Sequence, residues 1–178
     1  MKNSKLQKML KAHKLWIDSN KKQGEPADFC EADLREVGLR EVDIREANFY
    51  KADLRGCDFY GCVLSGCDLC ETDFRGSNLY KTNFRGSDFC GSDLRETDLR
   101  ETDFRGSNLY KAKICESDLR GSDFRESKLR ETDFRGSDLR ETDFRGADIC
   151  ETDFRETDLD FLVRSSLLLW RNTNYRRP

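Results

Sequence analysis

The chain has 178 residues, of which 38% are charged and 36% hydrophobic. No run of about 18 apolar residues occurs, so no membrane-spanning helix is expected. The net charge of −3 conceals an acidic middle, −12 over residues 27–161, between basic ends of +5 over residues 1–26 and +4 over residues 162–178.

The first predicted element is a helix over residues 4–18. Ser4-Lys5-Leu6-Gln7 reads as a capping box. Leu6, Met9, Leu10, His13, Trp16 and Ile17 then recur at helical spacing. The apolar side is expected to cover the start of the next segment, with the lysines largely on the other side. His13, the only histidine, is read as a packing residue. The stretch "SNKKQGEP", residues 19–26, ends the helix and closes a first segment, residues 1–26. The opening "MKNSKLQKMLKAHK" lacks the apolar run of a secretory signal. With eight cysteines and no such signal, a reducing compartment with free thiols is expected. The predicted location is therefore cytoplasmic.

The second segment, residues 27–161, repeats every five residues. Every fifth position from Phe29 to Leu159 is Leu, Phe or Ile, 27 in all. Two residues before each of these centres stands Ala, Ser, Thr, Cys or Val. The residue just before is Asp 19 times and Asn four times; the residue just after is Arg 16 times. The fifth position is Glu 13 times and Gly 10 times. A period of five matches neither a helix nor a straight strand. It fits a chain that turns a corner once per unit, with the centre and the small residue inside and the other three outside. Gly at the fifth position suits a type II turn, and Glu there predicts a different turn, so two kinds of corner are expected. Asp and Arg flank each centre on one side of a short strand, so adjacent columns of opposite sign should compensate one another.

The units "ADLRE", "TDFRG" and "SNLYK" strongly resemble the pentapeptide repeat family. The resemblance implies an all-β fold, a right-handed quadrilateral β-helix of about seven coils with four units per coil. Residues 20 apart then stack, and Ile44, Leu64, Phe84, Phe104, Phe124 and Phe144 line one interior column with four phenylalanines in succession. Terminal coils expose apolar centres and need caps. The N-terminal helix supplies one. The third segment, residues 162–178, is expected to supply the other as a short apolar cap before a basic tail. Leu167, Leu168, Leu169 and Trp170 are its apolar residues and, in addition to the cap, the candidate dimer contact, so the expected state is a monomer or a homodimer joined at the C-terminus.

No catalytic constellation emerges. Cys67 and Cys70 form a CxxC, but one faces in and the other out, so they cannot converge on a metal. Cys57, Cys62 and Cys67 are read as space-filling residues on three successive walls, and Cys30, Cys70, Cys90 and Cys150 as thiols on one outer wall. Tyr50-Lys51, Tyr80-Lys81 and Tyr110-Lys111 recur every 30 residues, one and a half coils, so they alternate between opposite walls. There is no glycine-rich phosphate loop. No catalytic, metal or cofactor site is assigned, and the chain is expected to be a non-enzymatic, rigid scaffold that binds a protein partner, with no direct nucleic-acid binding. The resemblance also implies an alternative, a DNA-mimicking protein that binds a type II topoisomerase such as gyrase in the manner of quinolone-resistance proteins. The loops that interrupt the array in topoisomerase-binding members are absent here.

Overall fold

The computed structural model describes residues 3–159. Its first element, α1 (Asn3–Asp18), matches the predicted helix. Ser4 lies inside α1 and does not cap it. Leu6 and His13 are buried, Met9 and Leu10 pack against the core, and Lys5, Lys8, Lys11 and Lys14 are exposed. Beyond α1 the chain reverses through Asn20 and Lys21, both at positive φ. Gly24 then passes so close to α1 that a Cβ on it would lie 2.2 Å from the Ala12 carbonyl oxygen, which no side chain permits. The Ala27 N–H donates to His13 Nδ1 at 2.9 Å and fixes the entry into the rod.

From Asp28 to Asp138, every residue that precedes a centre forms a parallel β-bridge with the residue 20 further on, the last of them joining Asp138 to Asp158. One coil is therefore four units, and the chain is a right-handed quadrilateral β-helix. With coils about 4.8 Å apart, the rod is roughly 32 Å long. The four walls are numbered here by the units that open them, at residues 27, 32, 37 and 42. All centres from Phe29 to Leu159 are buried except Phe144, which is partly covered. The small residues fill the remaining interior. On the fourth wall Phe84 stacks on Phe104 (5.4 Å between ring centroids), Phe104 on Phe124 (4.6 Å) and Phe124 on Phe144 (5.3 Å). The expected aromatic column is present.

One unit shows how the backbone is satisfied. Phe104 N–H donates to the Asp123 carbonyl of the next coil (2.8 Å), and Gly106 N–H to the Arg125 carbonyl (3.0 Å). Asp103 N–H donates to the Thr82 carbonyl of the previous coil (3.0 Å). Ser107 N–H closes the corner on the Phe104 carbonyl (3.0 Å). The fifth donor, Arg105 N–H, has no backbone partner and goes to the Asp103 side chain (3.0 Å).

The corners correct one expectation. All 26 fifth positions from Glu31 to Glu156 lie at positive φ, whether glycine (65–73°), glutamate (52–61°) or lysine (56–59°). There are not two kinds of corner divided by residue type. A left-handed backbone costs a non-glycine residue about 1–2 kcal/mol. The ladder bond of the fifth residue, such as Glu101 N–H to the Arg120 carbonyl at 3.0 Å, holds it there, and local preference yields.

Inside, the small hydroxyls are not passive filler. Thr72 donates to the Phe49 carbonyl one coil back (2.8 Å), and Ser77, Thr82, Ser87 and Ser92 repeat the bond. Cys57 and Cys67 point their thiols at the Leu34 and Ile44 carbonyls in the same way. Burial pushes the thiol of Cys57 up to about 11 and that of Cys67 to about 12, so neither is a ready nucleophile. All eight cysteines are free.

Candidate interaction surface

The walls are built from three outward positions per unit, and the residue before each centre sets their geometry. Asp118 shows the pattern. Its Oδ1 accepts the Arg120 backbone N–H (3.3 Å), and its carboxylate takes Arg120 Nε (2.8 Å) and Nη2 (2.6 Å). Arg120 Nε also lies 3.4 Å from Asp138 in the next coil. The arginine hydrogen bond leads the effects that hold the Asp118 carboxyl below its usual range. Opposite charges thus alternate along the rod and compensate, as expected. Exposed pairs of this kind contribute only about 0–1 kcal/mol each.

The backbone bond explains the recurrence of Asp better than the charge does. Asn48, Asn78, Asn83 and Asn108 accept the same N–H two residues on, at 2.9–3.2 Å. Asn side chains also relieve carboxylate stacking, as Asn78 Nδ2 does by donating to Asp58 at 3.0 Å. Asp118→Asn should accordingly leave stability within about 0.5 kcal/mol of the parent, whereas Asp118→Ala should cost about 1–2 kcal/mol by orphaning the Arg120 N–H. Urea denaturation of the two variants checks this; equal losses would reduce the aspartate to an ion-pair partner.

The tyrosines fall where the 30-residue spacing puts them. Tyr50 and Tyr110 lie on the first wall and Tyr80 on the third. In each case the neighbouring lysine sits over the ring, at 4.8–4.9 Å, and a glutamate one coil on receives both groups. Tyr80 O–H donates to Glu101 at 2.9 Å and Lys81 Nζ lies 3.5 Å from it. Sequence reading missed a second feature on the third wall. Tyr60 packs on Tyr80 (5.6 Å), with Arg40 over the first ring and Arg100 over the second, both at 4.8 Å. The 20-residue spacing of Arg40, Tyr60, Tyr80 and Arg100 was the available signal. This ladder satisfies itself.

The outward cysteines Cys30, Cys70, Cys90 and Cys150 share the first wall with Asp28, Asp68, Asp88 and Asp148. Burial, and then the Asp88 carboxylate, push the Cys70 thiol well above its usual range. Cys67 is buried and Cys70 half-buried, so the CxxC sulfurs do not share one environment. Among the described residues no group of three or more His, Cys, Asp or Glu side chains is placed to hold a metal ion. The apolar residues Leu167, Leu168, Leu169 and Trp170 lie outside the described residues.

The architecture defines a four-walled parallel β-solenoid whose outer columns are paired within the chain. More particularly, the chain belongs to the pentapeptide repeat family: the family's sequence pattern matches residues 27–61, 57–95, 82–121 and 117–155. Among solved structures it is similar to QnrB1, a plasmid-mediated fluoroquinolone resistance protein, at 21% identity over 83% of this chain and 91% of that one, with a TM-score of 0.36. It is also similar to HetL, a pentapeptide repeat protein involved in heterocyst differentiation regulation from the cyanobacterium Nostoc sp. strain PCC 7120 (15% identity, 81% and 92% covered, TM-score 0.27). A third is Rfr23 from the cyanobacterium Cyanothece 51142 (20% identity, 75% and 91% covered, TM-score 0.28). No curated protein sequence matches the chain. No helix among the described residues is long and apolar enough to cross a membrane.

Proposed function

We propose that this chain is a non-enzymatic, rigid interaction module of the cytoplasm, which presents flat charged walls to a protein partner. The observation that carries the reading is the bonding of the walls. Nearly every outward Asp is fixed by the backbone N–H two residues on, and most are also clasped by an arginine, so surface charges hold set positions along the rod. A preorganised surface loses little side-chain freedom on binding. The test is capture of partners by the tagged full chain from its native lysate. Recovery of a partner that is lost when charges on one wall are reversed supports the reading; turnover of a substrate by the purified chain with no partner retained overturns it.

The net −12 of the rod favours one alternative, a gyrase-binding DNA mimic. Spread over roughly 32 Å, that is about half to two-thirds of the axial charge density of duplex DNA. Arginine clasping works against it, because a phosphate track has no alternating cations. Purified gyrase is therefore expected to supercoil DNA normally with the protein present at micromolar concentration. Inhibition in that assay would reverse the order of the two readings.

A further inference from the structure

The fourth wall breaks the charge pattern at one place. It is the least acidic wall, with a net −1 against −4, −3 and −4 for the first, second and third. Down its outer face the residues after the centres are Arg45, Ser65, Arg85, Arg105, Arg125 and Arg145. The corner column beside them reads Glu46, Gly66, Gly86, Gly106, Glu126 and Gly146, the longest run of glycine corners on the rod.

Arg85 is unlike the other arginines of the described rod. Asn83 stands where its unit would carry Asp, and the coil before has Val63 and Ser65. Asn83 keeps the backbone bond, accepting Arg85 N–H at 3.0 Å, but brings no charge. Among the described residues Arg85 is the one arginine with no carboxylate within ion-pair distance; its charge acts only at longer range, on Asp103 of the next coil. Arg105 and Arg125 bind Asp103 and Asp123 through Nε and Nη2, which leaves their Nη1 groups outside those pairs. A Cβ built on Gly86 or Gly106 would meet nothing within 4 Å, so the shelf beside these arginines is open. Arg85, Gly86, Arg105, Gly106, Arg125 and Glu126 line a groove of about 320 Å³.

We propose that this groove docks an acidic segment of a protein partner, its carboxylates received by Arg85 and by the outer edges of Arg105 and Arg125. The inference rests on the interaction-module reading and names the chemistry of its partner. Charge complementarity selects the occupant: Asp103 and Asp123 offset Arg105 and Arg125 within their own units, whereas Arg85 has no carboxylate in its unit, so the guanidinium left to be matched calls for an anionic group and a basic or neutral segment gains nothing from it. Shape supports it too. Three arginines one coil apart span about 10 Å along the axis, and carboxylates at alternate positions of an extended chain are about 7 Å apart on one face. Such a segment lies along the rod and engages two arginines at once. Because the site is exposed, the attraction is screened by salt.

The test uses the full chain and a fluorescein-labelled peptide of alternating Asp and Ser, read by fluorescence anisotropy at low ionic strength. Binding to the parent is expected, with no binding of the matching Asn/Ser peptide. Arg85→Ala should weaken it about fivefold, the scale of one exposed ion pair. Asn83→Asp, which supplies the missing carboxylate and keeps the backbone bond, should weaken it to a similar degree. Asp103→Asn should strengthen it by freeing Arg105. Arg145→Ala removes the same charge from the same wall outside the groove and should change binding less than twofold, about 0.4 kcal/mol. Thermal melts of all variants establish that each is folded. Equal binding by the parent and Asn83→Asp, an effect of Arg145→Ala as large as that of Arg85→Ala, or no peptide binding to the parent overturns the proposal. Those results leave the module reading standing, because capture from lysate samples all four walls.

Discussion

Replacing Phe104 by alanine should destabilise the rod by about 3–5 kcal/mol, the largest loss expected from a single substitution here. Phe104 is fully buried at mid-rod. Its ring stacks on Phe124 at 4.6 Å and an interplanar angle of 8°, faces Phe84 at 5.4 Å, and meets Phe89 edge-on at 5.5 Å. Truncation therefore removes contacts on three sides and leaves a cavity between coils whose backbones are pinned by ladder bonds and cannot close it. Phe104→Leu should cost no more than about 1.5 kcal/mol, because Leu64 already occupies the same column and the volume is nearly kept. In a solenoid each coil is stabilised by its neighbours, so the damaged coil should also uncouple the two halves. Guanidinium unfolding followed by circular dichroism is expected to show a single transition for the parent and a broadened or split one for Phe104→Ala. A loss no larger than that of Arg105→Ala, on the outside of the same unit, would mean that the column does not hold the coils together.

How far this could be read from the sequence differs by feature. The centre positions were legible, because one apolar residue per five with a small residue two before it fits a chain that turns a corner once per unit; the handedness and the four-unit coil came from the family resemblance. The Phe84–Phe144 column followed once the coil was taken as 20 residues. The corners were misread because glutamate was judged by its own backbone preference, and that preference is outweighed by the hydrogen bond its N–H makes to the next coil. The aspartates were read only as charges. Their second task appears when the donors of one unit are followed in turn and the residue after the centre is left without a backbone acceptor. Asn83 was visible as a departure from Asp, but what it does to Arg85 depends on the two-residue reach of an arginine back to its own unit, which is geometry and not pattern. His13 was correctly read as buried. Its bond to a residue 14 positions away was not readable from helical spacing.

That bond carries the second large effect. His13→Ala should cost about 2–4 kcal/mol, from lost packing together with an orphaned Ala27 N–H. The imidazole is 1% exposed, lies against Trp16 at 5.6 Å, and accepts through Nδ1, so the folded chain holds it neutral with its proton on Nε2. Nε2 has no hydrogen-bond partner among the described residues. Burial pulls its pKa below the ordinary 6.5; Asp43, the Arg45 carbonyl and Glu46 oppose this, and the Arg45 guanidinium assists it. The unfolded chain therefore takes up this proton more readily than the folded one. The stabilisation is complete above about pH 6.5, declines as pH falls towards the folded value, and is constant below it. Protonation turns Nδ1 from acceptor to donor and sets it against the Ala27 N–H, so the loss falls on the docking of α1. The aspartates act in a separate window. Carboxyls such as Asp118 are held below their ordinary 3.8, and their contribution persists above that value and is lost only as pH drops further. The melting temperature should thus fall in two stages on acidification. His13→Asn, whose Oδ1 stands where Nδ1 does and can accept the same N–H without titrating, should abolish the first stage and keep the second. A first stage of equal size in His13→Asn and the parent would place the sensitive proton elsewhere.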